Sequence, residues 1–181
     1  MRIIAGEFKG RRLAAPTWTG LRPTSDKLRE TIFNILAPRI AGALVVDGFA
    51  GTGAIGLEAL SRGAAHVLFI ERDRRAAALI ARNSAACGVE GRYTIECGDV
   101  ATVLRRGSDA AFDLILLDPP YDQAEVGDVL RVAADRVKTG GLVMLERASR
   151  REPDVPPALV RTRDVKSGDS TLTFFSLPEL S

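Results

Sequence analysis

Between residues 43 and 146 the chain alternates short apolar runs with longer amphipathic stretches, and that alternation leaves few folds open. Residues 43–47 (ALVVD) read as a first strand. The helix that follows, 53–62, carries Ile55, Leu57, Ala59 and Leu60 as apolar positions, and Gly63 stands where a terminating glycine is expected. The pattern then repeats: a strand at 66–71, an alanine-rich helix at 74–86 closed by Gly88, strands at 92–97 and 112–118, and a helix at 124–137. Thr139-Gly140-Gly141 leads into a fifth strand at 142–146. Such alternation predicts an α/β fold with a parallel sheet covered by helices on both faces. Two further β-like runs, 159–165 and 171–177, flank the turn-forming Lys166-Ser167-Gly168-Asp169. They predict a closing hairpin that places an antiparallel strand near one edge.

A chain of 181 residues, 46% of them hydrophobic, fits one globular domain. Within it, residues 1–40 read as a basic N-terminal extension and 41–181 as a Rossmann-like catalytic core. Residues 1–14, with Gly6 and Gly10, read as a small hairpin, and 16–23 as irregular chain. Thr24 or Ser25 caps a helix whose Leu28, Ile32, Ile35 and Leu36 share one face. The net charge of +2 is unevenly spread: the first 40 residues hold eight basic side chains against three acids, the remaining 141 hold 17 against 20. A basic arm on a near-neutral body suits a polyanion, so Arg2, Lys9, Arg11, Arg12 and Arg22 are candidate nucleic-acid contacts; a plain solvated tail is the other reading. No run approaches the roughly 20 apolar residues of a membrane span, and the first ten residues lack a signal-peptide core. A soluble, cytoplasmic chain without a membrane partner is expected. Cys87 and Cys97 show neither metal-ligand nor disulfide spacing, so two reduced thiols and no metal are expected. His66, opening the apolar run 67–70, reads as an ordinary strand-edge residue.

The segment Asp47-Gly48-Phe49-Ala50-Gly51-Thr52-Gly53-Ala54-Ile55-Gly56 joins the first strand to the first helix. Glycines there let the backbone approach a ligand closely. Gly51, Gly53 and Gly56 match the GxGxxG spacing, and Glu71 lies 20 residues after Gly51 at the end of the next strand. That is the dinucleotide fingerprint, so a nicotinamide or flavin oxidoreductase is one reading. Two details favour a different ligand. In that fingerprint the strand runs almost directly into the first glycine, whereas four residues intervene here. One of them, Asp47, puts a carboxylate at the strand tip that would repel a pyrophosphate and suit an ammonium group. S-adenosylmethionine carries an ammonium, a sulfonium and a ribose diol. Asp47 is then expected near its methionine end, with Phe49, Ala50, Gly51, Thr52 and Gly53 forming the loop around it. Glu71, with Arg72 beside it, is expected at the ribose hydroxyls. A third strand terminus, Glu96-Cys97-Gly98-Asp99-Val100, offers Asp99 to the adenine amine and Val100 to the ring face. Acids ending successive strands mark the edge where doubly wound sheets bind ligands.

Directly after the hydrophobic strand at 112–118 stands Asp118-Pro119-Pro120-Tyr121. Two prolines stiffen the backbone and leave carbonyls without local amide donors. An exocyclic amine on a nucleobase is a poor nucleophile, because its lone pair is delocalised into the ring. If the Asp118 carboxylate and the Pro119 carbonyl each accept one N–H, the nitrogen is drawn toward tetrahedral geometry and its lone pair can face a sulfonium methyl. Tyr121 offers a face on which a flipped base stacks. Catalysis in this reading is mostly alignment for in-line transfer.

These residues resemble the class I methyltransferases that modify amino nitrogens of bases, and the whole chain resembles the RsmD family, the small-subunit 16S rRNA guanine-N2 methyltransferases. The likeness rests on Arg2-Ile3-Ile4-Ala5-Gly6, Gly10-Arg11-Arg12-Leu13, Leu21-Arg22-Pro23-Thr24, Arg29-Glu30-Thr31-Ile32-Phe33-Asn34-Ile35-Leu36 and, after the glycine loop, Gly56-Leu57-Glu58-Ala59-Leu60-Ser61-Arg62-Gly63-Ala64. It weakens only from Arg151 onward. One departure is Asp47-Gly48-Phe49, where the family more often has Asp-Leu-Phe or Asp-Leu-Tyr; Gly48 is expected to loosen the turn. The resemblance implies a seven-stranded fold, S-adenosylmethionine as donor with S-adenosylhomocysteine as product, and one guanine in a 16S rRNA loop as acceptor. It further implies a partly assembled small ribosomal subunit as substrate, and it places Thr24 near the methionine end of the cofactor, with 22–36 helping to close the pocket. A monomer is expected.

Other functions stay open at this point. An adenine-N6 methyltransferase of DNA or RNA would use the same tetrapeptide. Reading a duplex groove, however, needs dedicated machinery, and only the 40 N-terminal residues are spare. Structured RNA, read by shape and unpaired bases, demands less. The dinucleotide oxidoreductase and a catalytically silent RNA-binding module are further alternatives, the second disfavoured by the intact Asp118–Tyr121 tetrapeptide.

Overall fold

Strands and helices alternate as the hydrophobic pattern predicts. A computed structural model describes residues 1–178 apart from 22–23, 108, 110 and 121–125. In chain order the elements are α1 (Asp26–Ile40), β1 (Leu44–Gly48), α2 (Ala54–Ser61), β2 (His66–Glu71), α3 (Arg74–Cys87), β3 (Tyr93–Cys97) and α4 (Val100–Arg105). β4 (Phe112–Leu117), α5 (Val126–Arg136), β5 (Val137–Ala148), β6 (Val160–Ser167) and β7 (Ser170–Ser176) follow. The strands make one seven-stranded sheet in the order β3-β2-β1-β4-β5-β7-β6. β1 to β5 pair in parallel, and β7 runs antiparallel to both its neighbours. The expected closing hairpin is therefore present, with its second strand inserted beside β5.

Side chains alternate across β4 and divide the core in two. Leu114 and Leu116 pack with Val45 of β1, Ile32 and Leu36 of α1, and Leu57 and Leu60 of α2. Ile115 and Leu117 join Val46, Leu104 of α4 and Leu130 of α5 on the opposite face. A strand apolar on both faces is what a sheet covered on both sides requires. Two elements depart from the sequence reading. Helix α4 is not among the expected elements; Asp99 caps it, and Val100, Ala101, Val103 and Leu104 are buried. β5 begins at Val137, five residues before the expected start. Val137 pairs with Phe112, and a register shift then brings Leu142 opposite Leu114, so the glycine turn at 139–141 is absorbed as an irregularity within the strand. The expected helix start at 124 lies outside the described residues. Among the described residues no helix is long and apolar enough to cross a membrane. Cys87 is buried and Cys97 exposed, and both thiols are free.

The N-terminal hairpin is built into the body. Arg2 bridges Arg12, and the Ile3 amide donates to the Arg11 carbonyl at 2.9 Å. Ile3, Phe8 and Leu13 are buried in the same cluster as β1 and α2. The polar anchor is Glu58 of α2, whose carboxylate is wholly buried. It accepts the amides of Ile4 (2.9 Å) and Ala5 (3.0 Å) and the Arg62 guanidinium (2.9 Å). Arg29 of α1, equally buried, approaches Glu58 at 3.6 Å and donates to the Arg2 carbonyl at 2.9 Å. Gly6, at φ 85°, passes so close to α2 that a Cβ there would overlap the Ser61 carbonyl oxygen. Removing one partner of a buried ion pair strands the other charge, at a cost of about 3–5 kcal/mol. Glu58→Ala should therefore lower the thermal midpoint by on the order of 10 °C; an unchanged midpoint in a thermal melt would show that the anchor is dispensable.

Candidate active site

The sheet reverses its order between β1, which continues to β2 and β3 on one side, and β4, which continues to β5 on the other. The chain between β1 and α2 crosses this edge as the glycine loop. Phe49 sits at φ 62°, a conformation that costs a bulky residue energy and marks a constrained turn. Two carboxylates brace the loop. Asp47 accepts the Gly56 amide at 2.8 Å, and Glu71 accepts the amides of Gly51 (2.8 Å) and Asp73 (2.9 Å) with its two oxygens. Gly48 stands where the sequence reading expects a loosened turn. It ends β1, and the room a side chain would need is filled by Leu117, whose Cδ2 lies 2.7 Å from the position of a Cβ, and by Val100.

A cavity of ≈ 640 Å³ opens at this edge, within the usual size of a cofactor site. Its wall is formed by residues 18–21, 49–52, 71–73, 98–100 and 118–120, with Thr24 and Glu146. Phe49, Ala50, Gly51, Thr52, Glu71, Arg72, Asp99, Val100 and Thr24 are thus brought together as the sequence reading expects. Asp47 and Gly53 are not on the wall. Asp47 lies beneath the loop, 1% exposed, and burial pushes its carboxyl up to about 8 against the opposing Gly56 hydrogen bond, with Glu71 adding repulsion. Its position is that of a brace under the ligand loop. Gly53, in the left-handed region, precedes α2 and supports its first turn. Asp99 lines the cavity while one of its oxygens caps α4 through the Thr102 amide at 2.9 Å.

Asp118 follows β4 at the centre of this edge. Thr24 donates its hydroxyl to Asp118 Oδ2 at 2.5 Å, so the N-terminal extension, which also lines the cavity through residues 18–21, bonds directly to Asp118. Ser25, the other candidate cap, accepts the Leu28 amide and starts α1. Burial and the hydrogen-bonded Glu146 carboxyl beside it hold Asp118 well above the usual carboxylate range, with the Thr24 hydroxyl opposing. Pro119 is buried and Pro120 exposed. Tyr121 and Arg22, both expected to act here, lie outside the described residues.

Trp18, Leu21 and Glu146 are among the wall residues that sequence reasoning missed. Trp18 takes the Arg75 guanidinium over its ring at 5.0 Å, and Leu21 comes to 3.6 Å from the position a Gly51 Cβ would occupy. Both belong to the stretch read only as irregular. The fifth strand does not end at Glu146 as expected but runs on to Ala148, because Arg147 and Ala148 pair with β7; an acid near its tip was still a visible signal, since Asp47, Glu71, Asp99 and Asp118 stand on the same edge. Of the basic candidates, Arg2, Lys9, Arg11 and Arg12 are exposed, and Arg11 is tied to the Ala86 carbonyl at 2.7 Å.

With this geometry in place, the relatives of the chain are informative. A family model described as "Conserved hypothetical protein 95" matches residues 1–176. The ribosomal RNA small subunit methyltransferase D of Escherichia coli K12 is 37% identical over 135 residues, which cover 75% of this chain and 67% of that protein. The protein of the same name from Haemophilus influenzae is 37% identical over 150 residues, covering 81% and 78%. Among solved structures, one titled "Putative methyltransferase yhhF from Escherichia coli" superimposes with a TM-score of 0.85 at 32% identity, covering 98% of this chain and 97% of that one.

The buried Asp47 carries a consequence for stability. Its folded pKa, about 8, lies above the ordinary value of 3.8, so between those pH values the folded state keeps a proton that the unfolded chain has lost. Stability then falls as pH rises from about 4 through 8, by up to about 1.4 kcal/mol per pH unit for one such group. Asp118 acts in the same direction. Asp47→Asn keeps the acceptor for Gly56 without the charge, so urea unfolding at pH 5.5 and 8.5 should show a smaller loss in the variant than in the wild type. Equal losses would mean that Asp47 does not carry this dependence.

Proposed function

The chain belongs to the RsmD family, the one described as conserved hypothetical protein 95, and we propose that it methylates the exocyclic N2 amine of a guanine in 16S rRNA, with S-adenosylmethionine as donor. The observation that carries this reading is the meeting of Asp118 with the glycine loop in one cavity at the β1/β4 edge. The wall suits the cofactor. Each Glu71 oxygen accepts one backbone amide and keeps lone-pair capacity for a ribose diol. Asp99 and Val100 would meet the adenine, with Arg72 nearby, while residues 49–52 and Thr24 would surround the methionine end. When bound, S-adenosylmethionine supplies an electrophilic methyl group on a sulfonium.

The residues of the chain do the rest. Thr24 fixes the Asp118 carboxyl by holding one oxygen. The Asp118 carboxylate and the Pro119 carbonyl accept the two N–H groups of the amine and turn its lone pair toward the methyl. As the N–C bond forms and the C–S bond breaks, the nitrogen gives up one proton. Asp118 is suited to take it, because burial and Glu146 make it a stronger base than an ordinary carboxylate. Tyr121 would stack the flipped base. The exposed Arg2, Lys9 and Arg12, with Arg11 and Arg22, would meet the phosphates of rRNA in a partly assembled small subunit. A monomer in the cytoplasm, working without a metal, completes the proposal.

Methyl transfer to small-subunit particles, naked rRNA and duplex DNA tests it: particles or rRNA should be labelled, and labelling of duplex DNA in preference would overturn the reading. Asp118→Ala should reduce turnover by about 10²–10³-fold or more, the scale seen when one aligned polar partner is removed from a reaction centre. Asp118→Asn should retain part of it, since the amide oxygen still accepts. Calorimetry should find S-adenosylhomocysteine affinity largely unchanged in both variants.

A further inference from the structure

We infer that Glu146 selects guanine by accepting the N1–H of the flipped base while Asp118 and Pro119 hold its N2 amine; this assignment rests on the methyltransferase reading above. Glu146 sits in β5 opposite Leu172 of β7, 6% exposed. Ser170 donates its hydroxyl to Glu146 Oε1 at 2.9 Å, which fixes the carboxyl group from the β7 side. Glu146, Pro119 and Pro120 line the cofactor cavity and also a second cavity of ≈ 270 Å³, bounded further by Val126, Gly127 and Pro153. These three residues therefore stand between the place for the methyl donor and a separate space large enough for one base.

The chemistry of that partition narrows the base. Burial first, and the Glu146 carboxyl beside it second, hold the Asp118 carboxyl well above the usual carboxylate range, so a ligand that presents donors to both groups relieves their repulsion. The Watson–Crick edge of guanine carries N1–H directly beside the N2 amine, so its donors run side by side along the two carboxylates. Adenine and cytosine place a ring-nitrogen lone pair beside their amine, which would face the second carboxylate and repel it. On guanine binding Asp118 gives up its proton to solvent. The N1–H bond stays intact throughout the reaction, so Glu146 recognises the base and transfers nothing. A site built around such a donor rejects a base lacking it far more strongly than one built on shape alone.

The test compares small-subunit particles carrying either guanosine or 2-aminopurine riboside at the methylated position. 2-Aminopurine keeps the exocyclic amine but has a lone pair at N1. Wild type should prefer guanosine by about 10²-fold or more in kcat/KM. Glu146→Gln, which can donate to that lone pair, should lose activity on guanosine and gain on 2-aminopurine, so that the preference collapses or inverts. Retained S-adenosylhomocysteine binding verifies that the variant is folded. Equal rates of wild type on both particles, or the same preference in wild type and variant, would overturn the role of Glu146 and leave the methylation reading standing. Failure of wild type to methylate the guanosine particle would sink that reading itself.

Discussion

β1 and β4 lie side by side, yet the chain leaves them toward opposite faces: α2 packs in one layer and α5 in the other. Among the described residues no helical connection covers the gap between their ends, so a cleft opens where the sheet order reverses. The loop after each parallel strand is delivered to that cleft. Its wall accordingly takes residues at or near the ends of all five parallel strands, and the acids Asp47, Glu71, Asp118 and Glu146 are among those at or beside it. Repulsion among them is tolerable because each has a donor. Gly56 satisfies Asp47, Gly51 and Asp73 satisfy Glu71, and Thr24 and Ser170 donate to the other two. The glycine loop owes its shape to these bonds as much as to its glycines.

The N-terminal extension depends on the same frame. Glu58 and Arg29 fasten residues 2–5 to α1 and α2, and Asn83 of α3 clasps Ala14 through both its amide and carbonyl while also donating to the Thr52 carbonyl in the glycine loop. Ten residues further on, Thr24 touches Asp118. The basic hairpin proposed to hold RNA is thus tied through Asn83 to the glycine loop, and Thr24 bonds to Asp118 at the same edge.

Much of this is legible in the sequence because it depends on local pattern. Strand–helix alternation predicts the parallel sheet, the turn at 166–169 predicts the hairpin, and acids at successive strand tips mark the ligand edge. The failures share a cause: each depends on where a side chain ends up in three dimensions. Asp47 reads as a ligand contact from its position, but its carboxylate turns inward to the Gly56 amide. Arg29 looks like one more basic residue of the arm and is fully buried, which residue type argues against. α4 is only six residues long, too short for periodicity to reveal. The early start of β5 is hidden by Gly140 and Gly141, which signal a turn more strongly than a strand irregularity. The pairing of Thr24 with Asp118 spans 94 positions, and no local signal announces it.

Which atom receives the methyl group decides whether the edge works as described. Small-subunit particles methylated by the protein with an isotopically labelled donor can be digested to nucleosides and resolved by mass spectrometry against synthetic standards. The expected product is labelled N2-methylguanosine at a single position. Label in N6-methyladenosine, or on a ring nitrogen or carbon, would contradict the alignment of an exocyclic guanine amine between Asp118, Pro119 and Glu146.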